Sequence, residues 1–231
     1  MRVSFCLVGF SLALAACAPT TGSPDAGQPQ PDPAWWGLQD NVCRHYQDDS
    51  GNPNYALEIH ASDKFPGVKT YDVVERLQGL PQREWWFQVT SDSLLLRGLS
   101  DVESGSGCSP SSMPCLTYYT YDPPPVYLKN DLDQGGSAES DTQAAVSGAR
   151  AGTFAEHFSS AIFPSETLTI AGKQVVATKY TLSVTEAGQP TVVDRLWLAP
   201  KLGFVKIDPD GQAIGPETFV KSEPVPSDGC S

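Results

Sequence analysis

The chain has 231 residues, 40% of them hydrophobic and 10% aromatic, with 27 acidic against 15 basic side chains and a formal charge of −12. That is enough apolar material for one core of ordinary domain size. The acidic surplus repels phosphate backbones and anionic headgroups, which argues against nucleic-acid binding.

In chain order, Met1-Arg2 is followed by an uncharged, mostly apolar stretch from Val3 to Ala16. A basic start and an apolar run well short of the roughly 20 residues of a spanning helix predict a secretory signal over residues 1–16. Its last residues and the next, Leu14-Ala15-Ala16-Cys17, resemble the lipobox of bacterial lipoproteins. That resemblance implies cleavage before Cys17, a diacylglycerol on its thiol and acylation of the new amine. An ordinary secretion signal with an incidental cysteine is the alternative. Ala18 in place of an aspartate implies, by the same resemblance, sorting to the outer membrane of a Gram-negative bacterium. The implied partners are the membrane, through the lipid, and the lipoprotein processing and sorting machinery. Cleavage removes one charged residue, Arg2, so the mature chain carries −13 instead of −12. Residues 18–33, APTTGSPDAGQPQPDP, hold no large apolar side chain. Such a segment cannot bury enough surface to offset its ordering entropy, so 17–34 is predicted to be a lipidated, disordered tether. A single β-rich domain is expected over 35–231, starting at Trp35-Trp36.

Six cysteines are present. Cys6 leaves with the signal and Cys17 takes the lipid, which leaves Cys43, Cys108, Cys115 and Cys230. An even number in an exported chain predicts two disulfides, with three pairings open. Cys108 and Cys115 flank the short loop SPSSMP, so they are paired with each other; Cys43 and Cys230 then tie the two ends of the domain. No C-x-x-C spacing speaks for a metal.

From residue 55 on the pattern is strand. In TYDVVERLQG (70–79), Tyr71, Val73 and Leu77 share a face at period two, opposite Asp72, Arg76 and Gln78. REWWFQVTSD (83–92), SLLLRGLSD (93–101) and the aromatic PCLTYYTYD (114–122) follow, the last ending at Pro123-Pro124-Pro125. Over 166–188, Val176, Tyr180, Leu182 and Val184 alternate with Lys179, Thr181 and Ser183. EAGQP and DPDGQ have hairpin-turn chemistry, and 217–225 reads as a last edge strand. SDTQAAVSGAR (140–150), with Ser140 and Gln143 matching a capping box, is the one predicted helix. The expected fold is mainly β: a single curved antiparallel sheet with few short helices.

LTIAGKQVVATKYTL (168–182) and RLWLAPKLGFVKID (195–208) resemble a diffuse group of Gram-negative envelope proteins, many of them lipoproteins. The shared pattern is an Ala-Gly turn, here Ala171-Gly172, and a strand pair reading Trp197, Ala199, Pro200, Gly203, Val205 and Lys206. The Pro-rich YDPPPVYL (121–128) is similar too. The resemblance covers about residues 55–210 and implies an open half-barrel like that of the LolA and LolB lipoprotein carriers. Lys173, Gln174 and Leu198 depart from the group's pattern. Pro200 and Gly203 also have an architectural reading of their own: Pro200 ends a ladder on an edge, and Gly203 permits the turn or bulge that restarts it.

No catalytic constellation is visible. His45, His60 and His157 are scattered, no HExxH appears near Glu58 or Glu156, and no G-x-S-x-G is present. Asp48-Asp49 and Asp208 with Asp210 lie in turn sequences. No enzyme activity, cofactor or metal is expected. Trp85 and Trp86 are adjacent on a strand and must point to opposite faces, as must Tyr118 and Tyr119. These four are the candidate ligand-binding residues, since a curved sheet can hold an acyl chain or other amphiphile on its concave side; the alternative is that both faces are simply packed. The functional expectation is a non-enzymatic outer-membrane lipoprotein that binds a lipid-like ligand. The alternative is an accessory subunit of an envelope assembly that binds a protein partner.

Overall fold

The computed structural model describes residues 33–53, 55–102, 116–129, 135–149, 151–209, 216–227 and 229–230. A short 3-10 turn, Pro33–Trp36, precedes fourteen strands. The first seven are β1 (Val42–Gln47), β2 (Tyr55–Ser62), β3 (Thr70–Leu77), β4 (Leu80–Val89), β5 (Ser93–Val102), β6 (Leu116–Asp122) and β7 (Val126–Lys129). The others are β8 (Ser137–Gly148), β9 (Gly152–Ile162), β10 (Glu166–Ile170), β11 (Lys173–Glu186), β12 (Val192–Ala199), β13 (Gly203–Asp208) and β14 (Glu217–Pro224). All pairings among the described residues are antiparallel. The sheet runs β10-β11-β12-β13-β14-β1-β2-β3-β4-β5-β6-β8-β9, with β7 on β5.

The expected fold class is met: the chain is mainly β, one antiparallel sheet. The half-barrel is corrected. β9 pairs with β11 from Tyr180 opposite Ile162 to Glu186 opposite Glu156, so the sheet closes on itself and β7 and β10 alone lie off the ring among the described strands. The physical reason is the length of β11. Its first five residues pair with β10, and the remainder reaches past β10 to serve β9 and β12 at once. Closure removes the free edges that an open sheet must protect.

The predicted helix at 140–150 is also corrected, since these residues belong to β8. Thr142, Ala144 and Val146 are buried at period two while Gln143, Ala145 and Ser147 are exposed, a strand's signature. The capping-box residues Ser140 and Gln143 serve neighbouring strands instead: Ser140 Oγ accepts the Val126 N–H at 3.0 Å, and Gln143 faces Asp122 across the ladder. Residues 217–225 do form a strand, β14, but it lies between β13 and β1, not on an edge. Pro200 likewise sits in the β12–β13 turn and at no sheet edge.

Turn chemistry follows the sequence. Gln78 and Gly79 join β3 to β4 with φ of 52° and 78°, and Ala171 and Gly172 join β10 to β11 with φ of 47° and 76°. Two positive-φ residues per two-residue turn is the type I′ arrangement that suits twisted strands. EAGQP lies between β11 and β12 as expected, whereas most of the β13–β14 connection falls outside the described residues. So do Cys17, Cys108 and Cys115. Cys43 and Cys230 are bonded, with Cα atoms 5.8 Å apart.

The core is the barrel interior, filled at one end by Trp36, Leu38, Tyr46, Leu94, Leu128 and Val205, all at 2% exposure or less. Here the 3-10 turn seals the barrel against the β12–β13 turn. Arg44 Nη2 donates to the carbonyls of Leu202 and Phe204, and Tyr46 Oη to that of Phe204 at 3.0 Å. Gly37 and Gly203 meet backbone to backbone. A Cβ on Gly203 would lie 2.4 Å from Gly37 Cα and 2.7 Å from the Trp36 carbonyl, at a φ of +69°. No flexible side chain is available to give way, so Gly203→Ala is expected to destabilise the fold by about 2–4 kcal/mol, read by urea unfolding. An unchanged unfolding midpoint would show that the seal is looser than this packing.

The outer face of β8 and β9 is polar. β8 and β9 present Glu139, Asp141, Gln143, His157 and Ser159 outward, with His157 Nδ1 2.8 Å from Asp141 and Nε2 2.9 Å from Glu139. That is the reverse of the apolar band of an outer-membrane barrel.

Candidate functional site

At the end away from the 3-10 turn, the interior is not filled. A chamber of about 440 Å³ lies between β4, β5, β6, β9, β11 and β12. A smaller void of about 50 Å³ adjoins it toward β2 and β3, and Arg83, Trp85, Tyr127 and Asp194 line both. Together they form a lumen within the usual size range of ligand sites, roughly 300–1,000 Å³.

Strand alternation decides which side chains reach it. On β4, Arg83, Trp85 and Phe87 point inward, opposite Glu75 and Val73 of β3 and Asp101 and Leu99 of β5. On β6, Tyr119 and Tyr121 share the inner face. On β9 and β11 the inward pairs are Glu156 with Glu186, Phe158 with Val184, and Ser160 with Leu182. Asp194 and Leu196 complete the wall from β12. The lower wall is apolar and ring-rich: Phe87 and Tyr127 meet edge-on at 4.9 Å, Tyr121 and Phe158 at 5.5 Å, and Trp85 stacks on Phe87 at 6.5 Å.

The candidate aromatics therefore divide. Trp85 and Tyr119 line the lumen. Trp86 lies on the outer side, 2% exposed, with Lys64 Nζ 3.1 Å above its ring, Phe65 beside it and Gly98 beneath. Its Nε1 donates to Glu84 at 2.9 Å. Tyr118 is 40% exposed on the outer face.

Sequence reasoning missed the charges inside the barrel. Arg83 Nη2 donates to Asp101 at 2.9 Å, and its guanidinium stands 5.7 Å over the Trp85 ring. Burial alone would favour a neutral Arg83, but Asp101 and Glu75 beside it hold the proton firmly. Glu75 is 5% exposed. Desolvation pushes its carboxyl up to about 7 against the opposing pull of Arg83 and of the Tyr55 hydroxyl, which hydrogen-bonds to it. Burial also raises Tyr121, whose hydroxyl bonds Glu156. A signal for these residues exists in the sequence: each carboxylate sits two positions from an apolar inward residue, as in Val73-Val74-Glu75 or Glu156-His157-Phe158.

The histidines lie apart. His60 is 2.8 Å from Glu58 on the outer face, His45 is 2.9 Å from Glu223, and His157 is on the β8–β9 surface. Among the described residues no cluster of His, Cys, Asp and Glu could hold a metal ion.

No protein-family model and no curated protein matches the chain. Three crystal structures are similar to it. One is a candidate lipoprotein from Parabacteroides distasonis, 10% identical, covering 82% of this chain and 98% of its own, with a TM-score of 0.42. Another is a candidate exported protein with a YmcC-like fold from Bacteroides fragilis, also 10% identical with the same coverage, at 0.45. The third is the hypothetical lipoprotein YmcC from Escherichia coli, 13% identical over 81% of this chain and 87% of its own, at 0.36.

Proposed function

We propose that this chain is an exported, lipid-anchored binding protein of the Gram-negative outer membrane that takes an amphiphilic ligand into its barrel lumen and catalyses no reaction. The observation that supports this is the chamber of about 440 Å³, with aromatic lower walls and a polar mouth. The lipobox-like Leu14–Cys17 supplies the anchor. Pro33, the first described residue, lies at the sealed end of the barrel, so a tether leaving from it attaches the domain by its closed side and leaves the mouth free.

The test is native mass spectrometry of the chain from Ala18 to Ser231, purified from the periplasm. An added mass that is lost on denaturation and extracts into organic solvent is the expected result. Leu182→Trp, which fills the chamber from a wall position, should lose the adduct while keeping its β-sheet circular dichroism. A clean apo mass in the parent chain would overturn the proposal and direct attention to protein partners.

A further inference from the structure

We propose that the ligand is a neutral amphiphile whose headgroup offers Arg83 an uncharged oxygen, an ester carbonyl or a sugar oxygen; this rests on the lumen being a binding site at all. Arg83 stands where the two cavities adjoin and lines both. Its side chain is 26% exposed, and its Nε is buried without a hydrogen-bond partner. Among the described residues lining either cavity, no other buried side-chain nitrogen or oxygen lacks a partner. A buried donor without an acceptor is costly, and a ligand oxygen is the partner that removes the cost.

The deficit at this group is one of hydrogen bonding, not of charge. Arg83 Nη2 donates to Asp101 at 2.9 Å, and Glu75 stands across the β3–β4 ladder from Arg83. One positive charge thus already has one carboxylate in contact and a second beside it. A cation has no lone pair to give Nε. A carboxylate or phosphate has one, but it brings a further negative charge beside Asp101 and Glu75, and like charges repel strongly in a partly desolvated site. A neutral oxygen accepts from Nε and leaves the pairing as it stands. The guanidinium holds five N–H donors in one rigid plane, so Nε can take a new acceptor while Nη2 stays on Asp101.

The walls place the rest of such a molecule. Arg83 lies at the mouth end of β4, and Gln189 of the β11–β12 turn adds an uncharged polar group to the chamber's rim. Farther in, Phe87, Leu96, Phe158 and Leu182 form an apolar wall for an alkyl chain.

Isothermal titration of the Ala18–Ser231 chain at pH 8 with monodecanoylglycerol, decyl maltoside, decanoate and decyltrimethylammonium, each below its aggregation concentration, tests this. The tighter neutral probe should bind at least tenfold more strongly than either charged one. Which neutral probe leads assigns the oxygen to an ester or to a sugar. Arg83→Lys keeps a positive charge for Asp101 but puts a methylene where Nε stands, and should weaken that neutral probe about tenfold. Circular dichroism checks that the variant folds; if it does not, the order of the four probes on the parent chain decides alone. A charged probe that binds as tightly as the neutral ones, or unchanged affinity in folded Arg83→Lys, overturns the neutral-acceptor reading while leaving the lumen a binding site. Failure of every probe to bind overturns both readings.

Discussion

Replacing Cys43 and Cys230 together by alanine is expected to lower the stability of the fold by about 3–5 kcal/mol. The two residues are 187 positions apart, so the bond closes nearly the whole described domain into one loop. Chain-entropy arithmetic for a loop of that length gives about 5 kcal/mol, and losses measured for native disulfides run at about 2–5. Packing adds to this. Cys43 and Cys230 are 0% and 2% exposed and pack with Ala56 on the outside of β1 and β2. The chain end is also held at Glu58, which accepts the Cys230 N–H at 3.2 Å, Arg76 Nε at 2.7 Å and lies 2.8 Å from His60. Burial alone would raise the Glu58 carboxyl, but these donors outweigh it and hold it below its ordinary value. Chemical unfolding of the double variant against the parent, both without reductant, is the measurement, because reductant would also act on any Cys108–Cys115 bond. A loss below about 1 kcal/mol would mean that the ladder between β1 and β14 holds the chain end without the crosslink.

How far the sequence carried is clearest strand by strand. Alternation alone assigns Tyr71, Val73, Leu77, Val176, Tyr180, Leu182 and Val184 to buried faces; Tyr71, Val73, Tyr180 and Leu182 are 5% exposed or less, Leu77 and Val184 are half-buried, and Val176, where β11 still pairs with β10 off the ring, is 62% exposed. Alternation is local, and so are the two-residue turn at Ala171-Gly172 and the longer EAGQP turn between β11 and β12. β8 was misread for an equally local reason. Alanines and a Ser-x-x-Gln quartet favour a helix start, but in the folded chain β6 and β9 flank these residues and their backbone groups pair outward. Long-range pairing overrides weak propensity.

Barrel closure was not legible, because an inward-facing residue of an open half-barrel and of a closed one obey the same alternation. Only the meeting of β9 with β11 distinguishes them, and no residue within either strand announces it. The acidic lumen was hidden in the same way. Glu75, Arg83 and Asp101 lie on three consecutive strands, β3, β4 and β5, and Asp194 far along the chain in β12, and each alone resembles a solvent-facing charge. Their positions two residues from Val73, Trp85, Leu99 and Leu196 set them on the apolar face. A charge at an inward position of a half-buried strand was therefore the available clue, in four strands at once.

Glu75→Gln is expected to stabilise the unliganded protein at pH 8 by up to about 3 kcal/mol and to change it by less than about 1 kcal/mol at pH 5. The sign follows from the direction of the shift. Glu75 is held up at about 7 in the folded chain against 4.5 ordinarily, chiefly by desolvation. Below pH 4.5 the carboxyl is protonated folded or unfolded and costs nothing. Between 4.5 and 7 the unfolded chain gives up its proton first, so stability falls as pH rises; above 7 the full cost of the buried charge remains. Gln keeps the shape and removes the ionisation. Arg83, Asp101, Asp194 and Tyr55 surround the group, and the net of their effects is already contained in the raised value. Glu217, also raised to about 7, should leave the single variant with a residual decline over the same pH window, which Glu75→Gln/Glu217→Gln would flatten. Urea unfolding at pH 5 and pH 8 gives the comparison. A variant no more stable than the parent at pH 8 would show that Glu75 is adequately neutralised by Arg83, and the lumen would then hold less unbalanced charge than its geometry indicates. A buried carboxylate that weakens the barrel at neutral pH is a sacrifice of stability, and under the proposed function it is one that a polar group of the ligand would offset.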